Sequence, residues 1–512
     1  MNTKLHTFVL GKNLPSKICL IIPEASFLLD SRVFMTLGIL KIAASLEEAG
    51  IGVEVLDLSG ISNYTDVVRD YVESRKDIVH FGLTATTPQL PAVKQIVKEI
   101  RARQPDAKII LGGPHVTLVS AAYKREVKLS VVDGRAAKAM KGLEALFDTL
   151  VAGDGEVSVF AAMAENAPRL IDADELGSSL FLTNDLLTEL PFPARHLVDA
   201  TSYHYTIDGV TAYSLIAQLG CPFACGFCGG RESNMLRKIR TRTTENIIAE
   251  MVHMHRTLGC NGFMFYDDEM NVNPGMVGLM DAIAKAQTDL GVEWKLRGFI
   301  KSQLFNDKQA AAMYKAGFRW ILVGFESGSE EILTAINKKA TRSENTRCME
   351  IAKRHGLKVK ALMSMGHPGE TVETIQATKD WLLEVKPDDF DITIITCYPG
   401  TPYYDQAVRA PERGEDVWVY TYPQTGAHLY QFDVDYEETA DYYKGDPDGG
   451  YKAYVFTDTM SPEQLVTARN DLERDVRLTL GIPFNQSIAA QQYEHSMGQG
   501  SSFPERILKQ SR

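Results

Sequence analysis

The chain has 512 residues, 45% of them hydrophobic and 23% charged, with 66 acidic against 54 basic residues and a net charge of −12. That composition excludes a disordered tail, a collagen-like fibre and a small disulfide scaffold, and at roughly 100–200 residues per domain it asks for about three domains. The acidic balance argues against nucleic-acid or membrane-surface binding, no apolar run reaches the ~18 residues of a spanning helix, and the N-terminus lacks a signal peptide's apolar stretch, so a cytoplasmic protein with neither partner is expected.

Residues 17–22 (KICLII) form an apolar run ending at Pro23. From Leu37 to Ala49 apolar residues recur at helical spacing, and Gly50 stops the helix. Val53–Leu58, Ile78–Thr84 and Lys108–Leu111 read as further strands, with a helix over Ala92–Arg103. Strands alternating with helices predict a parallel, doubly wound sheet, whose ligands bind at the carboxyl ends of the strands. Those ends carry Thr84-Ala-Thr-Thr-Pro88, Gly112-Gly-Pro-His-Val-Thr117 and Gly153-Asp-Gly-Glu156. Small residues let a large ligand approach the backbone, and hydroxyls supply hydrogen bonds. No GxGxxG follows the first strand, which disfavours a dinucleotide. Residues 160–210 have no clear period, and Pro191 and Pro193 mark a connector.

The pieces LGILKIAASLEEAG, TATTPQ, LGGPHVT and VAGDGE resemble the cobalamin-binding domain that precedes many radical S-adenosylmethionine (radical SAM) enzymes. The resemblance implies a corrin at the strand ends, with its nucleotide tail in a groove lined by Thr84, Thr86, Gly112, Gly113 and Val116. His115, Gly153 and Glu156 join that candidate set. The Asp-x-His-x-x-Gly loop that gives cobalt a histidine in other cobalamin proteins is absent, so cobalt without a protein imidazole is expected. His80 reads as a packed strand residue, and Arg32 is a candidate to face the metal or an ordinary loop arginine.

Seven cysteines are too few and too scattered for a disulfide framework. Cys19, Cys260, Cys348 and Cys397 are isolated in apolar segments, whereas Cys221, Cys225 and Cys228 fall on one loop as C-x3-C-x2-C. An iron–sulfur cube needs four ligands, so three thiolates leave one iron open, as a catalytic centre requires. Structural zinc asks for a fourth Cys or His at short range, and the next histidines, His253 and His255, lie well downstream.

With Phe227 before the last cysteine, this loop resembles the radical SAM signature. Strands are expected at Ser214–Leu219, Gly262–Tyr266, Trp294–Phe299, Trp320–Phe325, Lys358–Met365 and Asp391–Cys397, with a helix over Thr244–Leu258. Their ends carry Asp267-Asp268-Glu269, Arg297, Gly324-Phe-Glu-Ser-Gly328 and Gly366-His-Pro-Gly369. Taken singly, the acids also read as a helix-start cluster or a buried pair. The resemblance implies a [4Fe–4S] cluster on the three cysteines. It also implies SAM held by Phe227, Asp268 or Glu269, Arg297, Glu326 and Ser327, with Pro368 near adenine. The motif Asp267-Asp268-Glu269 departs from the family's Gly-Gly-Glu, which leaves the amino-group ligand open.

Residues 398–454 hold eleven of the chain's twenty tyrosines, suited to a packed lid or to a surface that contacts a polar substrate. Helix Pro462–Leu480 follows, and Tyr493 and His495 are candidate acid–base groups.

The expected architecture is α/β. An N-terminal Rossmann-like cobalamin-binding domain (1–160) and a connector (161–210) precede a partial (β/α)6 TIM-type radical SAM barrel (211–405). A small α+β C-terminal domain (406–512) covers the substrate. The expected function is cobalamin-dependent C-methylation of a small molecule through a 5′-deoxyadenosyl radical, with electrons from a flavodoxin or ferredoxin. The alternatives are a non-methylating rearrangement, cyclisation or dehydration, a degenerate cobalamin domain, or an iron–sulfur electron carrier.

Overall fold

The structure is a computed structural model that describes residues 3–25, 31–441 and 451–483. Tyr493, His495 and the turn-rich stretch 444–450 lie outside the described residues.

Six strands form the first sheet: β1 (Lys17–Ile22), β2 (Gly52–Asp57), β3 (His80–Thr84), β4 (Lys108–Gly112), β5 (Thr149–Gly153) and β6 (Leu170–Ala173). Their order is β2-β1-β3-β4-β5-β6, and every neighbouring pair is parallel. Helices cover both faces, so Ile18–Ile22 of β1 are buried throughout. The strand order reverses between β1 and β3, the switch point at whose carboxyl ends such sheets bind ligands.

The second sheet follows: β7 (Thr206–Ile207), β8 (Val210–Leu215), then, beyond a short ribbon of β9 (Gln218–Leu219) and β10 (Arg240–Thr241), β11 (Gly262–Phe265), β12 (Lys295–Ile300), β13 (Phe318–Glu326), β14 (Lys358–Met365) and β15 (Asp389–Ile394). The order is β15-β14-β13-β12-β11-β8-β7, with six parallel strands and β7 antiparallel at the edge. Phe263, Phe265, Leu296, Ile300, Ile321 and Val323 point outward into the helical core. Met264, Phe299, Leu322 and Leu362 cluster on the opposite, inner face.

One strand differs from the expectation. The run Ser214–Leu219 is broken, because the backbone N–H groups of Ala217 and Gln218 donate to the Asp267 carboxylate at 2.7 and 3.2 Å. Gln218–Leu219 then pairs antiparallel with Arg240–Thr241. The ribbon draws together the two ends of the segment that carries the cysteines.

Beyond the barrel, β16 (Val408–Arg409), β17 (Val417–Thr421), β18 (His428–Phe432) and β19 (Val455–Thr457) make an antiparallel sheet. Helix Pro462–Leu480 begins with a capping box on Ser461 and packs along β15, where Arg469 donates to Ile392 O at 3.0 Å and Arg477 to Phe390 O at 2.6 Å. No helix among the described residues is long and apolar enough to cross a membrane.

Candidate active site

The cysteine loop sits at the carboxyl end of the half-barrel, tied down by its backbone. Cys221 N donates to Leu236 O at 3.0 Å, Gly226 N to Ile336 O at 2.9 Å, and Gly230 N to Gly400 O at 2.8 Å. Asn337, in the left-handed region at φ +55°, donates its side-chain amide to Ala224 O at 2.9 Å. Among the described residues no three His, Cys, Asp or Glu side chains gather so as to hold a single metal ion.

Three buried cations face the thiols. Burial pushes the Cys228 thiol up to about 12, and Arg231 pulls the other way. Burial also raises Cys221, opposed by Arg231. Lys301 and Lys338 both feel the charge of Cys225. Lys301 Nζ lies 4.0 Å from the centre of the Phe223 ring and donates to Lys338 O at 3.3 Å. Three thiols ringed by Arg231, Lys301 and Lys338 fit an anionic iron–sulfur cube, whose assembly must first strip the thiol protons.

The strand ends supply the other side of the bowl. The three acids after β11 have separate tasks. Asp267 anchors the 217–218 backbone, and burial lifts its carboxyl to about 7. Asp268 accepts from Gly220 N at 3.0 Å, fixing the start of the cysteine loop. Glu269 Oε2 is buried without a hydrogen-bond partner. Burial lifts the Glu269 carboxyl to about 7, against the pull of Lys338 and Lys301. An unpaired carboxylate oxygen beside the thiols fits the ammonium end of SAM.

Glu326 closes β13 at φ +67°, an unusual backbone for a residue with a side chain. The ladder shifts register between Gly324 and Glu326, which folds the carboxylate back over the strand. A Cβ at Gly324 would meet Glu326 Oε1 at 2.6 Å and Lys338 Nζ at 3.1 Å. Lys338 Nζ donates to Glu326 Oε1 at 2.9 Å, and Ser364 Oγ to Oε2 at 2.9 Å. Burial pushes this carboxyl up, but Lys338 and Ser364 outweigh it and hold it below the ordinary value. Ser364 Oγ also meets His367 Nε2 at 2.8 Å, and the His367 ring packs 5.4 Å from Phe227. Burial lowers His367 to about 4, so the ring is neutral near pH 7.

Phe227, Glu269 and Glu326 thus belong to one neighbourhood, and Pro368 follows His367 in the chain. Ser327 is spent locally, with its hydroxyl 3.0 Å from Thr378 Oγ1 and accepting from Ser329 N at 3.1 Å. Arg297 lies in the body of β12, below Lys301, and donates to the Tyr205 hydroxyl at 2.9 Å. The structure groups it with Tyr205 and Trp320 rather than with the cysteines. Lys301, Lys338 and Arg231 carry no sequence motif; only the fold gathers them.

At the first sheet, Thr84, Gly112 and Gly113 are half-buried and Thr86 is exposed, giving a low, small-residue surface at the ends of β3 and β4. Gly113, at φ +95°, is required by packing: a Cβ there would meet Thr84 Oγ1 at 2.4 Å and Ala85 N at 2.9 Å. That shallow surface fits a broad, flat ligand. Val116 and Gly153 support it from beneath, where Gly153 N donates to Thr117 Oγ1 at 2.9 Å. His115 is buried against Thr87, Nδ1 to Oγ1 3.0 Å, and burial lowers it to about 3, so it is neutral. Glu156 pairs with Lys41 at 3.6 Å. Arg32 donates to Asp57 at 2.9 Å and to Ser202 at 2.7 Å, joining the first sheet to the chain that leads into the barrel.

The two sheets meet around the cysteine loop. Leu118, on the helix that begins after β4, packs at Gly229, where a Cβ would stand 3.1 Å from it. Asp174, after β6, accepts from Ser233 Oγ at 2.9 Å and Met235 N at 2.6 Å. Asp154 forms a buried ion pair with Arg240.

Comparison with known proteins agrees with this arrangement. The family model of the radical SAM superfamily matches residues 215–382, and that of the B12-binding domain matches residues 32–144. An uncharacterized methyltransferase of Pyrococcus horikoshii is 27% identical over 77% of this chain and 83% of its own. An anaerobic magnesium-protoporphyrin IX monomethyl ester cyclase of Cereibacter sphaeroides is 24% identical over 67% of this chain and 57% of its own. Among solved structures, the radical SAM methyltransferase TsrM of Kitasatospora setae, determined with cobalamin and a [4Fe–4S] cluster, shares the fold with a TM-score of 0.62. It is 16% identical and the match covers 89% of this chain and 88% of that one. A B12-binding domain followed by a radical SAM half-barrel makes this chain a member of the cobalamin-binding radical SAM enzymes, which work with a [4Fe–4S] cluster, SAM and cobalamin.

Proposed function

We propose that the enzyme transfers a methyl group to an unactivated carbon of a small molecule. When bound, the cluster and SAM supply a 5′-deoxyadenosyl radical, and methylcobalamin supplies the methyl group. Cys221, Cys225 and Cys228 hold three corners of the cube and leave the fourth for SAM. Glu269 accepts from the amino group of SAM, and the ammonium groups of Lys301 and Lys338 attract its carboxylate. Glu326, steadied by Lys338 and Ser364, receives ribose hydroxyls, while Phe227 and Pro368 flank adenine. Thr84, Thr86, Gly112 and Gly113 receive the corrin and its tail. Arg297 lines the inner face below, held by the Tyr205 hydroxyl, and serves the substrate end of the bowl.

The observation that carries this reading is the contact of Leu118 with Gly229. The helix that begins at the end of β4 rests on the cysteine loop, which supports placing the two cofactors next to each other. A radical needs no acidic C–H, which suits methyl transfer to carbon. The P. horikoshii methyltransferase supports it. The C. sphaeroides cyclase favours a second reading, ring closure without methyl transfer. A reductant is required in either case, for which a flavodoxin or ferredoxin is suited. Incubating the reduced, cobalamin-loaded enzyme with trideuteromethyl-SAM and candidate substrates separates the two. Methylation adds the labelled methyl to the product, whereas cyclisation leaves the product unlabelled and sinks the first reading.

A further inference from the structure

Tyr403 is fully buried, and its hydroxyl has no hydrogen-bond partner. It stands on the short helix Pro402–Asp405, beyond the last barrel strand, with Thr401 as its cap. The ring is pressed against the cysteine loop. Tyr403 N donates to Gly226 O at 3.3 Å. A Cβ at Gly226 would meet the ring at 2.5 Å and the hydroxyl oxygen at 3.2 Å. Position 226, between two of the cysteines, is therefore glycine because the phenol takes the room of a side chain.

The phenol is fixed there. Gln431 donates to Tyr403 O at 2.7 Å, and the ring packs 4.8 Å from Tyr420 and 6.2 Å from His367. Tyr403 also lies within electrostatic reach of Cys225 and Cys397. A buried hydroxyl that donates to nothing is unfavourable and rare in native proteins. The acceptor that this one lacks among the side chains is of the kind an iron–sulfur cube brings, an electron-rich sulfur on the Cys225 side of the loop.

We infer that Tyr403 tunes the cluster: its hydroxyl donates a hydrogen bond to cluster sulfur, the Cys225 thiolate or a neighbouring sulfide. The inference rests on the cluster reading above. Hydrogen bonds to sulfur set the potential of such clusters. A donor stabilises the more negative, reduced state and so raises the potential, easing the electron transfer that precedes SAM cleavage. It also gives the segment beyond the barrel a reason to return to the loop.

The test is Tyr403→Phe, reconstituted anaerobically beside the unsubstituted enzyme, with iron and sulfide content, SAM affinity and a potentiometric titration followed by electron paramagnetic resonance. The expected result is equal iron and sulfide, equal SAM affinity and a midpoint potential shifted to more negative values, while Tyr420→Phe leaves the potential where it was. A loaded Tyr403→Phe enzyme with an unmoved potential overturns the inference. So does a variant that fails to take up iron, since the phenol would then serve folding, and so does an equal shift in Tyr420→Phe. An unsubstituted enzyme that takes up no cluster would instead refute the underlying reading.

Discussion

The carboxylate of Glu326 and the ammonium of Lys338 lie 2.9 Å apart, both almost wholly buried at the mouth of the half-barrel. The pair is held by a backbone at φ +67° and by the bare Cα of Gly324. Strained backbone of this kind persists where its surroundings over-determine it, and it gathers at functional sites. Lys338 also faces Cys225 and Glu269. One ammonium therefore links Glu326, Glu269 and the cysteine loop.

Lys338→Met leaves Glu326 as a buried charge without its ion-pair partner, held by the Ser364 hydroxyl alone. The expected cost is about 3–5 kcal/mol of stability, read from urea denaturation, together with weaker SAM binding at full iron content. Glu326→Gln removes the charge and keeps the shape, so it should cost less stability and still weaken SAM. Unchanged SAM affinity in both variants would remove this pair from the site.

Glu269 titrates near neutrality, because burial lifts its carboxyl to about 7. Its folded value lies above the ordinary 4.5, so the protonated form is favoured in the fold, and the stability it contributes is lost as pH rises from about 4.5 through about 7. SAM needs the ionised acceptor. Affinity for SAM should therefore rise as pH passes upward through about 7, with proton release on binding detectable by calorimetry in buffers of different ionisation enthalpy. In Glu269→Gln, affinity should be lower and that part of the pH dependence lost.

The cysteine loop was legible in the sequence because three cysteines within eight residues depend only on local chain. The strand ends were legible through period and punctuation. The division of labour among Asp267, Asp268 and Glu269 was not, since it depends on which backbone N–H groups the folded 217–220 segment presents. Lys301 and Lys338 carry no local signal, because only tertiary packing buries them beside the cysteine loop. Arg297 is the converse: an arginine fits a carboxylate by type, but its strand position sets it beside Tyr205 and Trp320. The expected strand at 214–219 was lost to a long-range contact, Asp267 with the 217–218 backbone.

Gly113→Ala tests the cobalamin crevice. At φ +95° and ψ −174°, with Thr84 Oγ1 in the way, alanine forces the 84–86 and 112–114 loops apart. Strain alone should cost about 1–3 kcal/mol, seen as a lower melting temperature. Cobalamin uptake, measured from bound-corrinoid absorbance, should fall sharply while iron content holds. Undiminished uptake would place the corrin elsewhere.

Asp154→Asn tests the junction between the sheets. It leaves Arg240 buried with a weakened partner, and the expected loss is about 3–5 kcal/mol. Limited proteolysis should then cut between the sheets, within residues 174–240, faster than in the unsubstituted protein. An unchanged cleavage rate would make the pair dispensable.

Mössbauer spectroscopy of the anaerobically reconstituted, iron-57-labelled enzyme tests whether Cys221, Cys225 and Cys228 hold a cluster with one iron open to SAM. Adding SAM should change the parameters of one iron in four and leave three alone, and the triple alanine variant should show no cube. A spectrum indifferent to SAM, or a cube that survives without the three cysteines, would contradict the account.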